Sequence, residues 1–537
     1  MSALPSLLDR HAFLDLETTG LDPAFDEVVE LGIAFVEAGV ITRRFTRLFR
    51  PSRPLAPVIQ RLTGLTDALL SRESPFADFR GELVELLRGW TVVAHNAVFE
   101  QRFLAPELEA ALCPVLDSCE VLHYLFPELP SHALEAVIRW AGVGEGAAHR
   151  ALKDSEDTYR VLAHALERAV REARVDELTE LSTSLAGDGA PQALLTLFSR
   201  ALEAAREVRP ELTLTPPEPF LPAASERTRA QPKLPPPVPG ALLAEAQSLL
   251  GEGGLLEQAL PDFIARAPQQ AMGRAVATAF ERGDVLAVEA GTGTGKSLGY
   301  LAPAIALARR EGVRVGIAPH TRALQEQLVD KELKRLHEAT AGAFGYAVLK
   351  GQQNYLCRRR GLAVSRPQPG LSYPERAARA YLRAFLRRSP VGDLERVSSW
   401  FKDHFPPLEE LLVLARSEAA TTLEKRCPHY SRCFFHSAVA QAEAADVVVV
   451  NQALALSWPE RYPALTHLVF DEAHELEDAA SNAWATELSG AALGALVARL
   501  TGPRGLASGL RHDGKESDAK ALERAAAEVV LDEKALA

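Results

Sequence analysis

Along the first 165 residues, apolar and polar positions follow two rhythms. "HAFLDLE" alternates at the period of a strand, and "VVELGIAFVEAG" and "VITRRFTRLF" read as its hairpin companions. "FADFRGELVELLRGW" has helical spacing, "TVVAH" is again a strand, and "LEAVIRWAGV" and "LKDSEDTYRVLAHALERAV" are helical. The mixture predicts an α/β domain over residues 1–170, with a helical extension over 171–209. Residues 210–240 are too rich in proline for helix or sheet interior and predict an exposed linker. Residues 241–537 return to an α/β pattern. Strands are predicted at Val285–Val288, in the run ending at Ala318, and at His467–Phe470.

Composition changes this picture little. The chain has 537 residues, 47% of them hydrophobic and 24% charged, as in globular proteins. No apolar run reaches the roughly 18 residues of a membrane-spanning helix, and the N-terminus lacks a signal-peptide pattern. A cytoplasmic protein without membrane contact is expected. The net charge of −12 argues against a uniformly basic nucleic-acid coat, but not against a local basic channel. Five cysteines are too few and scattered for a disulfide framework.

The chemistry begins in "HAFLDLETTG". Asp15 and Glu17 lie two apart on a predicted strand and so share a face. Adjacent carboxylates repel and need neutralising, which a divalent cation with oxygen ligands does well. Far along the chain, "HRALKD" supplies His149 and Asp154, with a helix predicted to begin near Ala151 and Asp154 in its second turn. Glu100, in the apolar stretch "AHNAVFE", is a further acid on a half-buried element. These five side chains are expected to converge.

Residues 10–165 resemble the DnaQ-type 3′→5′ exonuclease domain, on Asp15 and Glu17, "HNAVFE" and "HRALKD". The resemblance implies an RNase H-like fold and phosphodiester hydrolysis with two Mg²⁺ or Mn²⁺ ions held by Asp15, Glu17 and Asp154. It also implies that His149 orients or deprotonates the water. The family has aspartate where this chain has Glu100, which keeps the charge and lengthens the arm by about 1.5 Å.

The second body carries "AGTGTGKS" after its first strand. Gly291, Thr292, Gly293, Thr294 and Gly295 form a loop whose N–H groups suit phosphates. Lys296 is placed to reach them and Ser297 to ligate Mg²⁺. "THLVFDEAHE" places Asp471 and Glu472 at a strand end, Asp471 for Mg²⁺ and Glu472 to polarise water. With "RAPQQAM", "HTRALQEQ", "KGQQNYLCR" and "ADVVVVNQALAL", this body resembles the DinG branch of XPD-like superfamily 2 DNA helicases. The resemblance implies a RecA-like ATPase domain with an insertion over about 345–445, and Gln269 as an adenine contact. It further implies that Thr321 and Arg322 meet the DNA backbone, and that the partner is DNA with single-stranded or 3′ ends.

Cys357, Cys427 and Cys433 align with three of the four ligands of that family's [4Fe–4S] cluster. A fourth cysteine is missing from "AATTLEK". A mixed site using His429 or His436, a zinc site and a metal-free remnant all stay open. Cys113 and Cys119 read as packing residues. No second RecA-like motif set follows His474, so ATP binding without efficient unwinding is expected. Two alternatives to a combined exonuclease and helicase-type ATPase remain. One is a catalytically impaired nucleic-acid-binding protein, and the other is a proofreading subunit like that of DNA polymerase III.

Overall fold

The computed structural model describes residues 7–108, 115–144, 149–208, 240–259, 263–291, 293–484 and parts of 497–536. Most of the proline-rich stretch, Cys113 and Thr292 lie outside the described residues. Among the described residues no helix is long and apolar enough to cross a membrane.

The first domain is a mixed sheet of five strands in the order β3-β2-β1-β4-β5. β1 (His11–Thr18), β2 (Val28–Glu37) and β3 (Val40–Leu48) form the antiparallel meander that the alternation predicts. β4 (Thr91–Ala94) and β5 (Leu116–Asp117) add in parallel. The helix Ala151–Arg171 lies across β1 and β2. Its start sits directly over Gly32, where a β-carbon would overlap the backbone of Ala151 and Leu152. Asp15 pairs with Gly32 across β1 and β2, so this close approach brings the helix start to Asp15. Asp154 falls in the first turn of that helix, one turn earlier than the spacing predicts.

Two helices, Val175–Leu185 and Gln192–Glu207, follow the first domain. The second domain has a four-stranded parallel sheet in the order β7-β8-β6-β9. Its strands are β6 (Val315–Ala318), β7 (Tyr346–Val348), β8 (Val447–Val449) and β9 (His467–Phe470). β7 belongs to this sheet, so the insertion starts after it rather than at about 345. The chain is thus an RNase H-like α/β domain followed by a RecA-like one.

The predicted strand at Val285–Val288 does not form. β9 is the last strand of the sheet, and among the described residues nothing pairs with its outer side. Val285 is fully exposed, and Leu286 and Val288 are also in solvent. A strand needs a hydrogen-bonding neighbour, and apolar sequence alone does not supply one.

The two domains share a core. One apolar cluster runs from Val93 and Val161 of the first domain through Tyr381, Phe385 and Phe401 of the insertion to Val448 of the second sheet. At its edge Glu180 accepts from Arg383 and Arg387, and Glu128 from Arg388 at 2.7 Å. The rings of His132, His123, Trp400 and His404 stack in series at 3.6, 4.7 and 4.0 Å between centroids.

The contact at Gly32 gives the first prediction. Gly32→Ala overpacks the strand–helix junction and is expected to cost about 1–3 kcal/mol. Urea unfolding measures this, and an unchanged midpoint would show that the helix can back away freely.

Candidate functional site

Asp15, Glu17 and Asp154 offer carboxylate oxygens that all lie within 4.8 Å of one another. They are the only group of this kind among the described residues. Two strand residues facing one way and one first-turn helix residue make the triad, and β1 and the Ala151–Arg171 helix fix both parts. Glu30, opposite Glu17 in the register, is buried and held by both its oxygens on Arg150, the residue before that helix. Arg150 is the one cation whose field opposes the acids at Glu17.

The group is electrostatically strained without a cation. Burial raises the Asp15 carboxyl well above its ordinary range, and Glu100, Asp154, Glu17 and Glu30 add to the rise. Burial and then Asp154 push Glu17 up to about 7. Glu100 is 4% exposed in the first turn of the helix Val98–Leu108, and its Oε2 has no hydrogen-bond partner. Burial raises its carboxyl well above the usual range too. A buried, unpartnered oxygen next to a crowded acid triad is what a divalent cation would satisfy. Glu100 is near enough to add to the rise at Asp15, but it is not one of the three acids whose oxygens converge.

His149 is not brought to it. Its backbone is left-handed, with φ 46°, and its Nε2 lies 3.7 Å from Glu135 on the neighbouring helix. Asn96, also left-handed, donates nothing to the acids, and its Oδ1 accepts from Trp400 Nε1 at 2.7 Å.

Sequence reasoning missed Asp117. Its carboxylate accepts from the N–H groups of Asn96, Ala97 and Cys119 and so pins the turn that leads to Glu100. Burial outweighs those bonds and holds its carboxyl at about 6. The only trace in the sequence is an aspartate before a helical run, which reads as an ordinary N-cap.

At the second site, Gly293 and Gly295 take φ of 77° and 81°, a conformation that glycine adopts without strain. The helix Lys296–Glu311 starts directly behind them. Gly291 and Thr294 belong to the same turn, where the Thr294 hydroxyl donates to the Gly291 carbonyl at 2.8 Å. Ser297 is half-buried in the first turn. Lys296 Nζ lies 3.0 Å from Glu472 Oε1, so the loop lysine and the acid of the second motif already face each other. Gln269 is buried, and its amide donates to the Gly295 carbonyl at 3.1 Å, beneath the loop.

Two positioning residues here were not foreseen. Tyr300 donates to Asp471 Oδ2 at 2.9 Å, and the buried Gln452 amide donates to the Asp471 carbonyl at 2.8 Å. Thr321 caps the helix Arg322–Gln327, accepting from Leu324 N–H, and Arg322 pairs with Glu326 and Glu395.

Cys357, Cys427 and Cys433 are free and partly buried. Burial raises the Cys433 thiol, and Cys357 and Cys427 add to the rise. Their sulfurs do not gather as tightly as the acid triad does. Cys119 is buried in packing contact with His123.

Residues 12–162 match the family model described as Exonuclease, and residues 268–382 match that described as DEAD/DEAH box helicase. The 3′-5′ exonuclease DinG of Bacillus subtilis is 27% identical over 489 residues, covering 88% of this chain and 50% of that protein. The ATP-dependent DNA helicase YoaA of Escherichia coli is 36% identical over 244 residues, covering 44% of this chain and 37% of that protein. The ATP-dependent helicase DinG of Mycobacterium tuberculosis is 38% identical over 258 residues, covering 44% of this chain and 38% of that protein. The chain thus spans half the length of these relatives or less.

The raised carboxyls fix a pH dependence. Unfolded, Glu17 ionises near 4.5, and folded near 7. Between those values the folded state holds more protons, so raising the pH favours unfolding. The metal-free protein is therefore expected to lose thermal stability from about pH 5 to pH 7.5. Mn²⁺ should restore more of it at the upper end, with proton release on binding near pH 6. Calorimetry in buffers of different ionisation heat measures the release. Binding without proton release would show that the triad is already ionised.

Proposed function

Since the chain joins an exonuclease domain to a DinG/YoaA-like helicase module, we propose that it removes nucleotides from the 3′ ends of single-stranded DNA and binds ATP beside that activity. The observation that carries the nuclease reading is the convergence of Asp15, Glu17 and Asp154. Mg²⁺ or Mn²⁺ bound there supplies a lowered water pKa and charge stabilisation at the phosphate.

The chain's own residues hold and orient. Asp15 and Glu17 present oxygens from a rigid strand. Asp154 closes the site from the helix, and Glu100 is proposed to add a fourth carboxylate. His149, in the short segment leading into that helix, is the proposed proton acceptor. It must turn away from Glu135 to serve. The proofreading-subunit alternative is weakened by the Bacillus relative, whose match runs through both halves of the chain.

In the ATPase module, Lys296 with the loop from Gly291 to Ser297 is proposed to cradle the phosphates, and Asp471 with Ser297 to hold Mg²⁺. Gln269, bonded to Gly295, links the adenine side to the loop. Glu472 is proposed to polarise the water once the incoming phosphates take over Lys296. For the three cysteines the present geometry favours no particular metal.

Two experiments test these readings. Asp15→Ala is expected to abolish Mn²⁺-dependent release of mononucleotides from a 3′-labelled oligonucleotide. Digestion that persists in the variant would sink the nuclease assignment.

For the ATPase module, Lys296→Ala should remove ATP binding in calorimetric titration. Glu472→Gln should tighten it by up to about fivefold, because a half-exposed ion pair is worth about 0.2–1 kcal/mol. Equal affinities in all three proteins would refute the loop assignment.

A further inference from the structure

The turn that leads to Glu100 is held from two sides. From within the nuclease domain, Asp117 accepts from the N–H groups of Asn96 and Ala97 at 3.1 and 2.9 Å. His95 is fixed at both ring nitrogens, by the Ser118 hydroxyl at 3.0 Å and the His132 carbonyl at 2.8 Å. These bonds hold the backbone and the histidine ring. The exposed side chain of Asn96 is held from the insertion, where Trp400 Nε1 donates to its Oδ1 at 2.7 Å.

Trp400 is built as a rigid donor. Its ring lies between those of His123 and His404 and is nearly parallel to both, at 16° and 19°. A ring stacked on both faces cannot easily turn its N–H edge away. Its helix, Ser399–His404, is capped by Ser398, whose hydroxyl accepts from Phe401 N–H. The same hydroxyl bonds His123 Nε2 at 2.7 Å, so the start of that helix is tied to the nuclease domain close to the indole.

Asn96 in turn governs the helix that carries Glu100. Its backbone is left-handed, with φ 64°, and its carbonyl accepts from Phe99 N–H at 3.0 Å as the helix Val98–Leu108 begins. Asparagine visits this conformation more readily than most residues, yet it persists only where surrounding contacts hold it. Glu100 follows in the first turn, so a change at Asn96 moves it directly. Among the charges that raise Asp15, Glu100 comes first, although it lies outside the convergent triad. At that position a misplacement of about 1 Å matters to a shared cation.

We propose that Trp400 is a positioning residue for the metal centre of the nuclease domain. It holds the left-handed Asn96 turn and, through that turn, the Glu100 carboxylate. The proposal rests on the metal-dependent reading of the acid cluster. A side chain of the ATPase module's insertion thereby completes the support of the nuclease site.

Mn²⁺ affinity is measured by calorimetric titration on the full chain and three variants. Trp400→Phe keeps a stacking ring and loses the N–H. Asn96→Gly removes the acceptor and tolerates the left-handed backbone. The third variant combines them. Each single change is expected to weaken Mn²⁺ binding about three- to tenfold, the scale of one hydrogen bond, and the double change no further. In a Glu100→Gln background, Trp400→Phe is expected to have no effect. With a labelled oligonucleotide, kcat should fall in Trp400→Phe while KM stays the same. Wild-type affinity in Trp400→Phe overturns the proposal, as do losses that multiply in the double variant or persist beside Glu100→Gln. A raised KM with unchanged kcat also overturns it. Should Trp400→Phe melt lower than the wild type, Asn96→Gly decides by the same readouts. A wild type that binds Mn²⁺ and digests nothing refutes the nuclease reading, while the Mn²⁺ titrations still decide the role of Trp400.

Discussion

Residue 32 has no side chain, and the backbone at Ala151 occupies the place where one would begin. That one contact sets the distance between a helix start and a strand. The gathering of the acids follows from that distance. It places Asp154 beside Asp15 and Glu17, and it seats Arg150 on the buried Glu30. The acids repel one another, and no local preference would gather them. The sheet register and the helix packing hold them together, and the repulsion appears as carboxyls that resist ionising. The fold stores an unfavourable charge arrangement that a divalent cation relieves.

Features set by short-range chemistry were legible in the sequence. Asp15 and Glu17 alternate on a strand, Gly293 and Gly295 curl a loop, and Asp471 follows an apolar strand. Features set by distant partners were not. Val285–Val288 has strand composition but no neighbour beside β9. His149 is turned toward Glu135 by a left-handed backbone that its residue type does not announce. Asp117, Tyr300 and Gln452 act by holding other groups in place, and their partners lie far off in sequence or across a turn. β7 is only three residues long, too short for its period to stand out from the insertion around it.

The proline-rich stretch predicts two bodies on a tether, yet one apolar cluster among the described residues crosses from the first domain through the insertion to the second sheet. The insertion supplies Tyr381 and Phe401 to that core, and its Trp400 reaches the turn that leads to Glu100. Burial keeps His123 and His132 neutral, His132 at about 4, so the stacked rings attract without mutual charge repulsion at neutral pH. A helicase-type insertion and a nuclease turn are thus mechanically continuous. The Trp400 ring and the Asn96 amide join them at that turn.

Glu472 lies against Lys296 at the phosphate loop. The pocket therefore carries its own anion, and any guest must outcompete it. A singly charged ion exchanges one contact for another and gains little. A triphosphate brings several charges to the lysine and to the glycine N–H groups together, and it wins by number. On the ATP-binding reading proposed above, the internal carboxylate would act as a threshold that a multiply charged guest passes more readily than a singly charged one.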